Sequence, residues 1–87
     1  MRPATEAVKT LDLHSKNRYQ AKIAIDAALR NAKGVYRIRA VHGYHSGTAI
    51  RDMILSEYAS HPAVKRLVRI SDGITDLVLK ELSDSAQ

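Results

Sequence analysis

The chain has 87 residues, no cysteine and a formal net charge of +5, a length that supports one hydrophobic core and argues against a second domain. Without cysteine there is no disulfide framework, thiolate nucleophile or zinc–thiolate site, and a reducing, cytoplasmic location is the default expectation. The apolar runs fall far short of the roughly 20 residues a bilayer-spanning helix needs, and no secretory segment follows Met1, so a soluble, unprocessed protein without a membrane partner is expected.

Residues 1–8 contain Pro3 and show no periodicity, and are read as a lead-in that is partly mobile. Lys9 to His14 alternates, which predicts a strand with Leu11 and Leu13 on one face and Asp12 and His14 together on the other. Asn17 with Gln20 three positions later matches a variant capping box and predicts a helix from Arg18 to about Ala32. Its apolar stripe is Ala21, Ala24, Ile25, Ala28, Leu29 and Ala32, with Lys22, Asp26 and Arg30 as an i, i+4 ladder outside and Ile23 opposite the stripe. Gly34 is expected to end this helix as a C′ residue.

Tyr36 to His42 predicts a second strand, with Arg37, Arg39 and Val41 sharing one face. The stretch from His42 through Gly43, Tyr44, His45, Ser46 and Gly47 to Arg51 then reads as a glycine-bearing turn entering a second helix. Ile50, Met53, Ile54 and Tyr58 have amphipathic spacing, and Pro62 must stop that helix, near Ser60. His61 is read as finishing it. Val64–Ile70 and Ile74–Leu82 predict two strands joined as an antiparallel hairpin by Ser71, Asp72 and Gly73. Residues 83–87 are polar and expected to fray.

The order strand, helix, strand, helix, strand, strand predicts an α/β fold. It is a two-layer βαβαββ sandwich built on a right-handed parallel βαβ unit, its four-stranded mixed sheet carrying both helices on one face. The other face, left open, would carry Arg37 and Arg39. Residues 1–40 hold nine Lys/Arg against three acids, and residues 41–87 hold five against six. That asymmetry fits one basic surface facing a polyanion, or alternatively a solvated basic face.

Parallel pairing would bring His42, at the end of the second strand, beside Asp12 and His14. A carboxylate next to an imidazole sets its tautomer and equips it as a general acid or base for attack on phosphorus; the alternative is that His14 and His42 satisfy backbone groups at strand ends. Strand-to-helix turns also suit phosphate, because the first helical turn has unpaired N–H groups. Lys16, Arg18, Arg37, Arg39 and Arg51 are the candidate phosphate contacts, with Tyr44 the candidate for base stacking. Tyr19 and Tyr36 read as packing residues. A metal site from Asp12, His14, His42 and His45 matches no familiar ligand spacing, so no metal or other cofactor is assigned, and dependence on a divalent metal stays open.

Leu11-Asp12-Leu13-His14 before a helix, His42-Gly43 leading into a second helix and His61-Pro62 before a hairpin together resemble the Smr (small MutS-related) domain family over nearly the whole chain. The resemblance implies a βαβαββ sandwich similar to the C-terminal domain of a bacterial translation initiation factor. It also implies nucleic-acid binding and, in some members, endonuclease activity on RNA or DNA. The family's Leu-Asp-Leu-His-Gly is here Leu11 to Ser15, and its His-Gly-x-Gly-x-Gly is His42 to Gly47 with His45 in place of the middle glycine. The spacing on to Ile50 and Arg51 is one residue longer. His45 offers a side-chain donor where that glycine would admit the backbone, so the resemblance supports binding more strongly than cleavage.

The leading expectation is a monomeric Smr-like nucleic-acid-binding domain, RNA slightly favoured over DNA, with endonuclease activity centred on Asp12, His14 and His42. Its binding residues would be Lys16, Arg18, Arg37, Arg39, Gly43, Tyr44, His45, Ser46, Gly47 and Arg51. The rivals are a non-catalytic module docking on structured RNA or a ribonucleoprotein, and a protein-binding domain using Ile23 and the helix surface.

Overall fold

A computed structural model describes residues 8–32, 34–43 and 48–79. The lead-in, the tail and the turn residues Tyr44, His45, Ser46 and Gly47 lie outside the described residues. The elements follow the order β1 (Val8–Asp12), α1 (Arg18–Arg30), β2 (Arg37–Val41), α2 (Ala49–Tyr58), β3 (Arg66–Ser71) and β4 (Ile74–Val78).

Helix α1 starts where its capping box is made: Gln20 N donates to the Asn17 side chain at 2.8 Å, and Asn17 N donates to Gln20 Oε1 at 3.0 Å. Two of the orphan amides at that end are thereby satisfied. The helix stops sooner than its stripe predicts. Asn31 turns its Nδ2 back on the Ala27 carbonyl at 2.9 Å and becomes the C-cap. Gly34, expected as the terminator, instead sits at φ 82° in a separate turn closed by Val35 N donating to Ala32 O at 2.8 Å.

Strands β1 and β2 pair in parallel, and Leu13 N donating to Val41 O at 2.8 Å carries the pairing one step past β1. The spatial order is β1-β2-β4-β3, with β4 antiparallel to both neighbours and an irregularity at Arg69/Ser71. One core cluster contains Ala21, Ile25 and Ala28 of α1, Ile50, Met53, Ile54 and Tyr58 of α2, and Ile38, Ala40 and Leu77 of the sheet. Both helices therefore cover the same sheet face. They are also tied to each other: the buried Tyr58 hydroxyl donates to Asp26 Oδ1 at 2.6 Å, and burial followed by this bond pushes its pKa up.

Strand alternation puts Arg37 and Arg39 on the face away from the helices, as the sequence predicts. That face is not bare, however. It holds Asp76, fully buried, which accepts from Arg37 Nη1 at 2.9 Å and from Arg39 through Nε at 3.0 Å and Nη2 at 2.9 Å. A buried carboxylate needs such partners, and it draws both guanidiniums onto itself. Among the described residues no helix is long and apolar enough to cross a membrane.

Candidate nucleic-acid interface

Because β1 and β2 run in parallel, their C-terminal ends meet at one edge, where the first turns of α1 and α2 also begin. A cleft of about 350 Å³ opens there, lined by His14, Lys16, Asn17, Arg18, His42, Gly43, Ala49, Ile50 and Arg51. Of the residues expected from the sequence, His14, Lys16, Arg18, His42, Gly43 and Arg51 meet at this edge, whereas Arg37 and Arg39 lie on the sheet face away from the helices.

Strand β1 ends at Asp12, and His14 sits in the turn beyond it. The turn folds the two side chains into contact: His14 Nδ1 is hydrogen-bonded to Asp12 Oδ1, which also accepts from the His14 backbone N–H at 3.3 Å. The bond from the His14 ring, then the one from its backbone, hold the Asp12 carboxyl below its ordinary value. Since an ionised carboxylate only accepts, Nδ1 carries the proton, and in the neutral ring Nε2 is the basic nitrogen. Among the described residues Nε2 has no hydrogen-bond partner. Both side chains are well exposed, at 62% and 68%.

His42 differs. It is buried, with Nδ1 2.9 Å from the Gly43 carbonyl and Nε2 3.0 Å from Thr75 Oγ1. The carbonyl can only accept, so Nδ1 donates, and in the neutral ring Nε2 accepts from the Thr75 hydroxyl. Expected as a third proton-transferring group, His42 has neither nitrogen free for a reacting atom. It satisfies a backbone carbonyl at a strand end, the alternative its position allows.

Gly43 takes φ 73°, and a Cβ there would stand 3.2 Å from His14 Cβ. On its other side Gly73 approaches so closely that a Cβ on Gly73 would meet Gly43 Cα at 3.1 Å. The Gly73 carbonyl accepts from both His42 N and Gly43 N, each at 2.9 Å. The β3–β4 hairpin tip thus backs Gly43, and Gly43 backs His14. Sequence marks Gly73 only as a hairpin-turn residue and does not mark Thr75, because both support the cleft wall from β4 and its turn through long-range contacts with His42 and Gly43.

Lys16 and Arg18 enter from the start of α1 and Arg51 from the first turn of α2. Arg51 Nε is buried without a partner among the described residues, and its Nη2 makes only a 3.4 Å contact with Asp52. Thr48, the α2 N-cap, does not cap; its hydroxyl donates to the Asp52 side chain at 2.9 Å. Among the described residues no side chain caps the first turn of α2.

Tyr19, expected to pack, is 71% exposed beside the cleft. The spacing that places Ile23 outside, where it is 68% exposed, places Tyr19 one turn earlier on the same outer face. His61 keeps its structural reading with a different partner: its Nδ1 accepts from Ala63 N at 3.0 Å. Among the described residues, no three of His, Cys, Asp and Glu are grouped as metal ligands.

No protein-family model and no curated protein matches the chain. Among solved structures, the crystal structure of the Smr domain of Thermus thermophilus MutS2 is similar at 24% identity and a TM-score of 0.75, covering 84% of this chain and 99% of that one. The four-stranded mixed sheet with both helices on one face is accordingly the fold of an Smr-like domain.

Proposed function

We propose that the chain binds a nucleic-acid backbone in the cleft at the C-terminal ends of β1 and β2 and cleaves a phosphodiester there. The observation that carries this reading is the exposed Asp12–His14 pair at a cleft walled by Lys16, Arg18 and Arg51 and by the first turns of two helices. Cationic side chains and helix N-termini suit a phosphate, and an imidazole held by a carboxylate suits proton transfer beside it. The resemblance of Leu11 to His14 and His42-Gly43 to Smr motifs supports the same reading; RNA is slightly favoured over DNA, and the absence of cysteine fits a cytoplasmic setting.

In the proposed reaction His14 Nε2 takes the proton from the attacking hydroxyl, either water or a ribose 2′-hydroxyl. The new O–P bond forms as the bond to the leaving oxygen breaks, and that oxygen takes a proton from solvent. Asp12 fixes the His14 tautomer and stabilises the imidazolium that results. Arg51 faces the charge developing on phosphate oxygens, and His42 keeps the Gly43 backbone in place behind His14.

The test is single-turnover cleavage and equilibrium binding on structured and unstructured RNA and DNA, with and without divalent metal. His14→Ala is expected to bind as the wild type does while cleaving about 10² to 10⁴ more slowly, the usual worth of a general acid or base. Equal cleavage by the two proteins would remove His14 from the chemistry. Binding without cleavage by the wild type on every substrate would leave the non-catalytic RNA-docking module in place.

A further inference from the structure

Two grooves meet at the start of α1. The first is the cleft described above; the second, about 440 Å³, runs between α1 and α2, and Arg18 and Ala49 line both. Tyr19 and Lys22 stand on the α1 side of the second groove. The Arg18 guanidinium lies over the Tyr19 ring, 5.8 Å from its centroid, and Tyr19 is 71% exposed. Ile23, one helical turn on and also exposed, extends the apolar surface. An aromatic side chain left in water beside cationic groups offers a π-face to a flat partner and a positive field to a phosphate.

We infer that Tyr19 is a base-stacking subsite continuous with the cleft, so that the domain takes an unpaired nucleotide of a single strand, its phosphate among Arg18 and the cleft donors and its base on Tyr19. The inference rests on the proposed binding of a nucleic-acid backbone and goes beyond it by naming the strand state. Continuity is its first support, since Arg18 belongs to both grooves and can serve a phosphate between them. Chemistry is its second. Every nucleobase has a π-face, whereas bases inside a duplex keep theirs against one another and cannot reach a side chain on a helix surface. Stacking on one aromatic side chain lowers the dissociation constant by about 5- to 150-fold.

The experiment compares wild type with Tyr19→Ala, Tyr19→Phe and Tyr19→Trp. Three RNA probes of equal length are used at one salt concentration: a single-stranded oligoadenylate, the same strand with abasic sites, and a blunt duplex. Because the chain contains no tryptophan, Tyr19→Trp places a single tryptophan at the subsite, whose emission is excited selectively at the red edge, beyond tyrosine absorption. Oligoadenylate should quench it and the abasic strand should not. Tyr19→Ala should bind oligoadenylate about 5- to 150-fold more weakly, with its affinity for the abasic strand and duplex unchanged, while Tyr19→Phe stays near wild type. Circular dichroism confirms that each variant is folded; at a surface position on the outer face of α1 all three should be. Wild-type binding to oligoadenylate that Tyr19→Ala leaves unchanged overturns this inference alone. No binding of any probe by the wild type, even at low salt, overturns the nucleic-acid reading and the subsite with it.

Discussion

One oxygen of Asp12 accepts both the ring and the backbone N–H of His14, and the two residues are only two positions apart. The contact is local, set by the turn after β1, and it leaves the carboxyl easier to ionise than an isolated one. Its folded pKa lies below the unfolded value. The stability it contributes is therefore fully present above the unfolded value and is lost as pH falls through the folded one. Carbon-13 NMR titration of the Asp12 carboxyl should give a midpoint under the ordinary 3.8, and His14→Ala should move it up towards 3.8 while the backbone donor remains. A wild-type midpoint at or above 3.8 would mean that the pair does not persist in solution.

At the scale of elements, the glycines serve different purposes, and the cleft depends on some of them only. Gly34 needs its positive φ and has nothing within 4 Å of a built Cβ, so Gly34→Ala should cost about 1 to 2 kcal/mol without disturbing the cleft. Gly73 is not in the left-handed region; its lack of a side chain matters because Gly43 lies against it. Gly73→Ala should therefore displace Gly43 and move the NMR signals of His14, 59 positions away in sequence, whereas Gly34→Ala should leave them in place. Unmoved His14 signals in folded Gly73→Ala would contradict the stacked arrangement. This contrast also marks what the sequence could reveal. Asn17 with Gln20 and Asp72 with Gly73 act on near neighbours, so the start of α1 and the hairpin are legible. The early stop at Asn31 turns on a side chain competing for the Ala27 carbonyl, which periodicity does not register. Tyr19 is within reach of the count that exposes Ile23. Thr75 behind His42, and Asp76 between two arginines, depend on the β2–β4 register, which leaves no spacing to read.

For the whole molecule, the excess of positive charge in the first 40 residues divides between two faces with different uses. Arg37 and Arg39 neutralise a carboxylate that has no exposure, whereas Lys16 and Arg18 line the cleft, where Arg51 from the second half of the chain joins them. The arginine pair that looks most basic in sequence is thus committed to holding the sheet, and the footprint on a polyanion should belong to the cleft. Arg51→Ala should weaken nucleic-acid binding and reduce the slope of log affinity against log salt by about 0.7 on single strands, or about 0.9 on duplex DNA, because one phosphate is no longer neutralised. Arg37→Ala with Arg39→Ala should leave that slope unchanged and instead destabilise the fold by about 3 to 5 kcal/mol, because Asp76 would remain buried without a partner. Both results come from salt titrations of binding by fluorescence anisotropy and from denaturant melts of the same proteins. A double mutant that keeps its stability but flattens the salt dependence would move the binding surface to the far side of the sheet.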